Sequence, residues 1–596
     1  MKARHLPSLA RRCCSGLALL LLCLPLAAQE RLDELLALKE NHAFQLVLQL
    51  LDEQQPDPSQ DIEGWMAWER ERLVLYEQTR DWPRLIARSN AFPGNLSSEF
   101  LLWARTLRAR ALLAHQQPHE ARRVLQALIW LSPSLSEAQN RQWLALWRRQ
   151  VIETYLEAGL MQDAYTAEQR YQQDYGQQGE QDRLRWARIL LLNNHVEEAA
   201  ALLSQHTKDP EAGMLYLVTQ LRGGEREAKK VLQAALRQLR GKWVDERLKH
   251  RLWAVVAEAA RHSGDRFAAV NALEHLVALV EPGTLPGGLF THMDADGLWQ
   301  AYIEAAQQLG NQQGLLIGDD ENWLKYARHV ETTDHLKGRA LYAFLLLKGQ
   351  QNNIVEQAAV LYMQRAKKLA AHETLIKALF LQSDSVPAVT DIPLPVRHAL
   401  VDIALRQSDI PLASQLMATM DSPPQGVDQF MWQLRRARIL VMGGKIEPGR
   451  ALLLKLLHEH QKLPREALDR YLQVVFDLQR LQAHDAAVEL LAQVSQYYPE
   501  QKLQRELYFW MAESRQAQGN YTEAARWYLK SAILPDVRAM DPWAQAARYQ
   551  AAASLAKAGL LDDARKMYEE LLRVTEDKNR VAVLQRELQQ LRHTVQ

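Results

Sequence analysis

Few stretches of this 596-residue sequence gather side chains that could hold a metal or move a proton. His458-Glu459-His460 offers two imidazoles, but residues two apart on a helix face different ways. The pair therefore cannot close on one ion as the i, i+4 imidazoles of His-Glu-x-x-His do, and that motif does not occur. Asp294-Ala295-Asp296-Gly297 has the acid spacing of a calcium loop, yet Ile303 stands where the bidentate carboxylate belongs and His292 stands at the first ligand position. Asp296 fits better as the N-cap of a helix entering at Leu298, its carboxylate accepting amides that have no partner within the helix. Gly318-Asp319-Asp320-Glu321-Asn322 is the densest acidic cluster and reads as a helix start, where the helix dipole favours negative charge. No phosphate-cradling or dinucleotide glycine pattern appears. Cys13, Cys14 and Cys23 all lie in the first 28 residues, so a chain shortened by those residues has no thiol for a disulfide or a metal. Neither a metal nor a cofactor is expected.

Glu513-Ser514 and Gly159-Leu160-Met161-Gln162 are similar to the Glu-Ser pair and the Gly-Leu-Met-Gln motif of the lytic transglycosylases. Some members of that family carry a helical superhelix, and their glutamate is a general acid that cleaves peptidoglycan. There the Glu-Ser pair precedes the glycine motif, whereas here it lies far downstream of it. Lifting a carboxyl into the range of a general acid also requires an enclosing pocket, of which the sequence gives no other sign. The chain is therefore expected not to be an enzyme.

The first residues point to export. Lys2, Arg4, Arg11 and Arg12 stand without an acidic neighbour ahead of an apolar run from Gly16 to Ala28, the order of a secretory signal. The run is shorter than the roughly 20 apolar residues that span a bilayer, so cleavage is expected after Ala28. Leu22 stands where a lipoprotein box around Cys23 would carry a small residue, which disfavours lipidation. The full chain has 72 basic and 71 acidic residues, and removal of the segment leaves 68 against 71. That balance does not favour nucleic acid or an anionic membrane. No later apolar stretch is long enough to span a membrane.

The rest of the sequence reads as helices, and one spacing organises them. Small residues recur 12 apart as Ala109 and Ala121, Ala187 and Ala199, Ala257 and Ala269, Ala512 and Ala524, and Ala552 and Ala564. Looser copies are Ile152 with Ala164, Val401 with Ala413, and Ala437 with Gly449. Such a spacing marks a repeated helix-turn-helix whose axes cross closely. Seven residues after the first member a left-handed turn residue is needed, and Gly159, Gly264, Gly444, Gly519 and Gly559 supply it, with Asn194 in another copy. Four residues past the second member comes a large plug on the same helix face, as at Leu125, Leu203, Leu273, Leu453, Leu491 and Tyr528, with Tyr568 in the last copy. Trp65, Trp68, Trp143, Trp147, Trp299 and Trp510 are expected to fill grooves between helices rather than to stack on a ligand.

The copy from Arg505 to Pro535, with Tyr508, Met511-Ala512, Gly519-Asn520-Tyr521, Ala524 and Tyr528, resembles the tetratricopeptide repeat. Trp253, Ala257, Gly264, Ala269, Leu273 and Pro282 resemble it too. The resemblance implies an all-α, tetratricopeptide-like α-solenoid in which side chains of each first helix line a concave groove that binds protein. The column one residue after the first small position reads Arg110, Glu153, Arg188, Glu258, Arg438, Glu513 and Ala553. Arg110, Arg188, Glu258, Arg438 and Glu513 are the candidate protein-binding residues. The Lys and Asn pattern by which chaperone-binding members clamp a C-terminal carboxylate is missing.

Glu281 to Gly288 packs two prolines and three glycines into eight residues, which breaks any helix. Ser383 to Pro395 and Asp421 to Gly426 are further interruptions. The expected organisation is a signal peptide at 1–28, an N-terminal array at 29–281, a less regular helical middle at 282–427, and a C-terminal array at 428–596 closed by a capping helix from Asn579. The expected function is that of a non-catalytic scaffold in the bacterial periplasm, binding an envelope or secretion protein. The alternatives are a peptidoglycan or polysaccharide binder and, behind it, a transglycosylase-like enzyme.

Overall fold

The computed structural model describes residues 35, 37–176, 179–224, 227–241, 245–278, 288–534 and 536–594. The expected signal peptide and most of the Pro/Gly segment after Glu281 lie outside the described residues. Those described are all-α, with helices and turns and no strand among them. Helices begin where a short polar side chain can accept the amide three residues on. Asp61, Asp81, Ser97, Ser136, Asp209 and Asp245 each do so, and Ser136 with Gln139 completes a reciprocal capping box.

The helices stack as tetratricopeptide-like antiparallel pairs, for the reason the 12-residue spacing gives. Both members of every one of the eight spaced pairs are buried, as are all seven plugs. A methyl added to Gly449 would lie 2.6 Å from Val441 Cγ2 and 3.2 Å from the Ala437 carbonyl oxygen. In this copy the second small position thus lies close against the backbone of the first. The turn column is left-handed throughout, with φ of +72° at Gly159, +64° at Asn194 and +80° at Gly559. Gln116 (+59°), Ser408 (+58°) and Gln482 (+62°) adopt the same conformation without being glycine. So does Arg80 (+57°), between Leu73 and Leu85, a 12-spaced pair of large residues that is also fully buried.

The chain divides into two compact units. The first runs to Leu276 and includes residues 288–293; within it, successive helix pairs pack on their neighbours from Ile62–Gln78 to Glu246–Ser263. Two buried charge clusters tie its pairs together. Glu168, wholly buried, accepts from Arg185 Nε at 2.7 Å and from a terminal amine at 3.1 Å, while Arg185 also donates to the buried Asp182. Glu69 is likewise buried between Arg72 and Arg88. The second unit runs from Asp294 and includes residues 277–278.

The early part of the second unit departs from the nearest-neighbour pattern. Helix Ala295–Gln313 packs chiefly on His335–Lys348 and reaches His372–Leu381, where the Trp299 indole donates to the Leu379 carbonyl at 3.0 Å. Asp294, not Asp296, is the N-cap, accepting from Gly297 N. The Asp296 carboxylate is drawn away by hydroxyls and amides of Ser383, Asp384 and Ser385, an interaction across nearly ninety residues that no local pattern encodes. The acidic cluster at 318–322 is a helix start, with Asp319 at the N-cap position accepting from the Asn322 side chain rather than from a backbone amide, and the buried Asp320 accepts from Gln350 N and Gln351 N. From Leu394 onward regular pairs resume and end in helix Lys578–Thr594, which buries Leu584 and Leu591.

Candidate functional site

The column of charges chosen from the sequence lies on the first helices, and the structure gives most of its members a partner. Arg110 reaches Glu77 at 2.6 Å, Arg188 reaches Glu153 at 3.2 Å, Glu258 lies 3.9 Å from Arg222, and Arg438 Nε donates to Asp477 at 2.8 Å. Each bridge joins the first helices of consecutive copies. The column was read as candidate protein-binding residues, and four of its five candidates also brace neighbouring repeats. The reason is geometric, because first helices lie side by side and place successive columns within reach of a long side chain. Burial lifts the Glu258 carboxyl above the ordinary carboxylate range against the pull of Arg222. Arg110 and Arg438 remain about half exposed, so their unused donors stay open to solvent.

Glu513 stands apart. No cation lies against it among the described residues, and burial alone pushes its carboxyl up. It sits one helical turn from Phe509, which forms one wall of a cavity of about 380 Å³. Three first-layer helices, the last of them the capping helix, build that cavity together with Leu571 of the second helix Leu561–Val574. Gln501–Ala517 supplies Phe509, Pro542–Lys557 supplies Gln545 and Tyr549, and Lys578–Thr594 supplies Asn579, Arg580 and Val583. The lining is aromatic and aliphatic with amide groups at intervals, a composition suited to a peptide, whose side chains need apolar contact and whose backbone needs donors and acceptors. Sequence reading missed this surface because its residues fall between the small positions and the plugs that carry the repeat signal.

The residues considered for catalysis are dispersed or engaged elsewhere. Ser514 is buried and accepts from Gln479 Nε2 at 2.7 Å, fastening its helix to Arg465–Arg480. Gly159 makes the left-handed turn and Met161 opens the next helix, in the first unit, whereas Glu513 belongs to the second. His458 pairs with the Tyr497 hydroxyl at 2.9 Å while His460 meets the Phe430 ring edge-on, so the two imidazoles serve different neighbours. The described residues hold no cluster of three or more His, Cys, Asp or Glu placed to bind a metal. Trp65, Trp68, Trp143, Trp147 and Trp299 are core residues; Trp143 and Trp147 stack at 6.0 Å, and Trp147 donates to Thr106. Trp510 is partly buried against Phe476. Trp130, which the sequence reading did not single out, is 84% exposed.

No helix among the described residues is long and apolar enough to cross a membrane. No family model and no curated protein matches the chain. Among solved structures it is similar to the yeast Tom70, with a TM-score of 0.21 and 11% identity over 84% of this chain and 97% of that one. It is also similar to the APC/C hetero-tetramer Cut9–Hcn1, with a TM-score of 0.19 and 13% identity over 74% and 91% of the two chains. At such scores the likeness is slight, and the fold described above stands on this chain's own helix pairs.

Proposed function

We propose that this chain is a non-catalytic protein-interaction scaffold of the bacterial periplasm, which binds an envelope or secretion-machinery protein along its first helices. The observation that carries the reading is the cavity that spans Gln501–Ala517, Pro542–Lys557 and the capping helix Lys578–Thr594, with Tyr549 and Val583 on its wall. An extended segment laid across a repeat array meets one such helix after another. The basic stretch and apolar run before Gln29 support export. Affinity capture from native envelopes, followed by mass spectrometry, tests the proposal. Val583 is 43% exposed, so Val583→Glu should cut partner recovery while leaving the melting temperature unchanged. Release of peptidoglycan fragments by the purified chain, with no partner recovered, would overturn it. The glycan-binding alternative rests on Trp130, the exposed indole on which a sugar face could stack. Loss of glycan retention in Trp130→Ala would favour that alternative.

A further inference from the structure

A second cleft in the C-terminal half differs in chemistry from the cavity beside Phe509. About 470 Å³ in volume, it opens between helices Gln429–Met442 and Arg465–Arg480, with the loop residues Pro424 and Val427 at its mouth. Arg435, Arg438 and Arg470 line it, and no acidic side chain does. Arg435 and Arg438 are three apart on one helix and present their heads from the same face, while Arg470 comes from the opposite wall.

These guanidinium groups are only partly used. Arg435 gives one terminal amine to Asp402 at 2.6 Å. Arg438 gives its Nε to Asp477, which Arg480 shares at 2.9 Å. Among the described residues Arg470 reaches only the Met431 sulfur, 4.0 Å away. Three cations thus divide two carboxylates among them, and Arg470 is left with none. Since each guanidinium carries five N–H donors, most of those facing the cleft lack an acceptor. Trp432, also in the wall and 2% exposed, keeps its indole N–H without a partner. Apart from the Gln473 amide, the rest of the lining, including Val427, Met431, Leu434 and Val474, is apolar.

We infer that this cleft binds an acidic segment of a protein partner, one that sets two carboxylate side chains about an aliphatic residue. The positive heads supply forked donors matched to carboxylates. The aliphatic wall supplies the burial that a simple anion could not use. The occupant is thereby distinguished from nucleic acid, for which the near-balanced charge of the chain offers no extended basic surface. The inference rests on the interaction reading above and names the partner chemistry at one part of that face.

The test is fluorescence anisotropy with the full chain and a labelled, end-capped octapeptide alternating Asp and Leu. The controls are its Asn-Leu analogue and a single-stranded oligonucleotide of equal charge. The acidic peptide should bind, weaken as salt rises, and outcompete both controls. Arg470→Met is the informative variant, because Arg470 holds no carboxylate and its loss should leave the fold intact. It should weaken binding about ten- to hundredfold, the range of a hydrogen bond to a charged group, and Arg470→Lys should restore part of it. Equal binding of the Asn-Leu peptide, equal binding of the oligonucleotide, or no effect of Arg470→Met would each overturn the inference. Envelope capture with the same variant separates the two readings. A partner recovered equally by wild type and Arg470→Met sinks the acidic cleft but keeps the scaffold, whereas Arg470-dependent peptide binding with no envelope partner does the reverse.

Discussion

Gly449→Ala tests directly whether the 12-residue spacing reflects contact between crossing helices. Gly449 lies inside helix Ile446–His460, where alanine is favoured over glycine by about 1 kcal/mol. Propensity alone therefore predicts a stabilised protein. The new methyl, however, would stand 2.6 Å from Val441 Cγ2 and 3.2 Å from the Ala437 carbonyl oxygen, against the ~3.5–4.0 Å of ordinary carbon contact. Valine in a helix has one strongly preferred rotamer and cannot swing away, and the carbonyl is backbone. The cost should fall near the top of the ~1–3 kcal/mol range for overpacking, leaving a net loss of about 2 kcal/mol. Hydrogen exchange of amides in Gln429–Met442 and Ile446–His460 should then quicken about thirtyfold, at ~1.4 kcal/mol per factor of ten. Val441→Ala on its own opens a void, and in the double variant the two methyl changes should compensate by about 1 kcal/mol or more. Slower exchange in Gly449→Ala than in wild type would refute the contact and with it the argument from small residues.

Three further outcomes are expected. Gly519 has φ of +78° with nothing within 4 Å of an added methyl, so Gly519→Ala should cost only the backbone strain of about 1–2 kcal/mol, read by urea unfolding. Arg185→Ala strands the wholly buried Glu168 carboxylate and should cost about 3–5 kcal/mol; substituting Met at both positions should recover much of that loss. Burial raises the folded-state value of Glu513 above 4.5, so the folded chain holds this proton more tightly than the unfolded one. Its contribution to stability should fall as pH rises from about 4.5 through the folded value, and Glu513→Gln should melt higher than wild type at pH 7 but not at pH 4.

The helix pairs were legible because their constraint is local and periodic. A buried crossing admits only small residues, a tight turn admits left-handed backbone, and both recur at fixed offsets. The copy around Arg80 escaped notice because Leu73 and Leu85 hold the crossing positions and arginine holds the turn. Asp296 escaped because its partners lie in the 383–385 segment. The candidate column lies on the first helices, but its pairing between repeats was not legible. Whether Arg110 meets solvent or Glu77 depends on how far one repeat lies from the next, a distance that the spacing within a copy does not carry. The two clefts were invisible for a related reason, each being assembled from helices that are consecutive in space and some thirty residues apart in sequence.

The bridges between first helices also constrain how such a gene can be rearranged. In Glu77 with Arg110 and Glu153 with Arg188 the acid is on the earlier helix, whereas in Arg222 with Glu258 and Arg438 with Asp477 it is on the later one. Polarity therefore reverses between Arg188 and Arg222. Exchanging the helix pairs on either side of Glu180–Leu203 would leave Arg188 between Glu153 and Arg222 as before but would set Glu153, not Arg222, against Glu258, one attraction turned into a repulsion. Recombination that transposes these modules is accordingly penalised at the junction facing Glu258, and the linear order of the copies is written into their surfaces as well as into the chain.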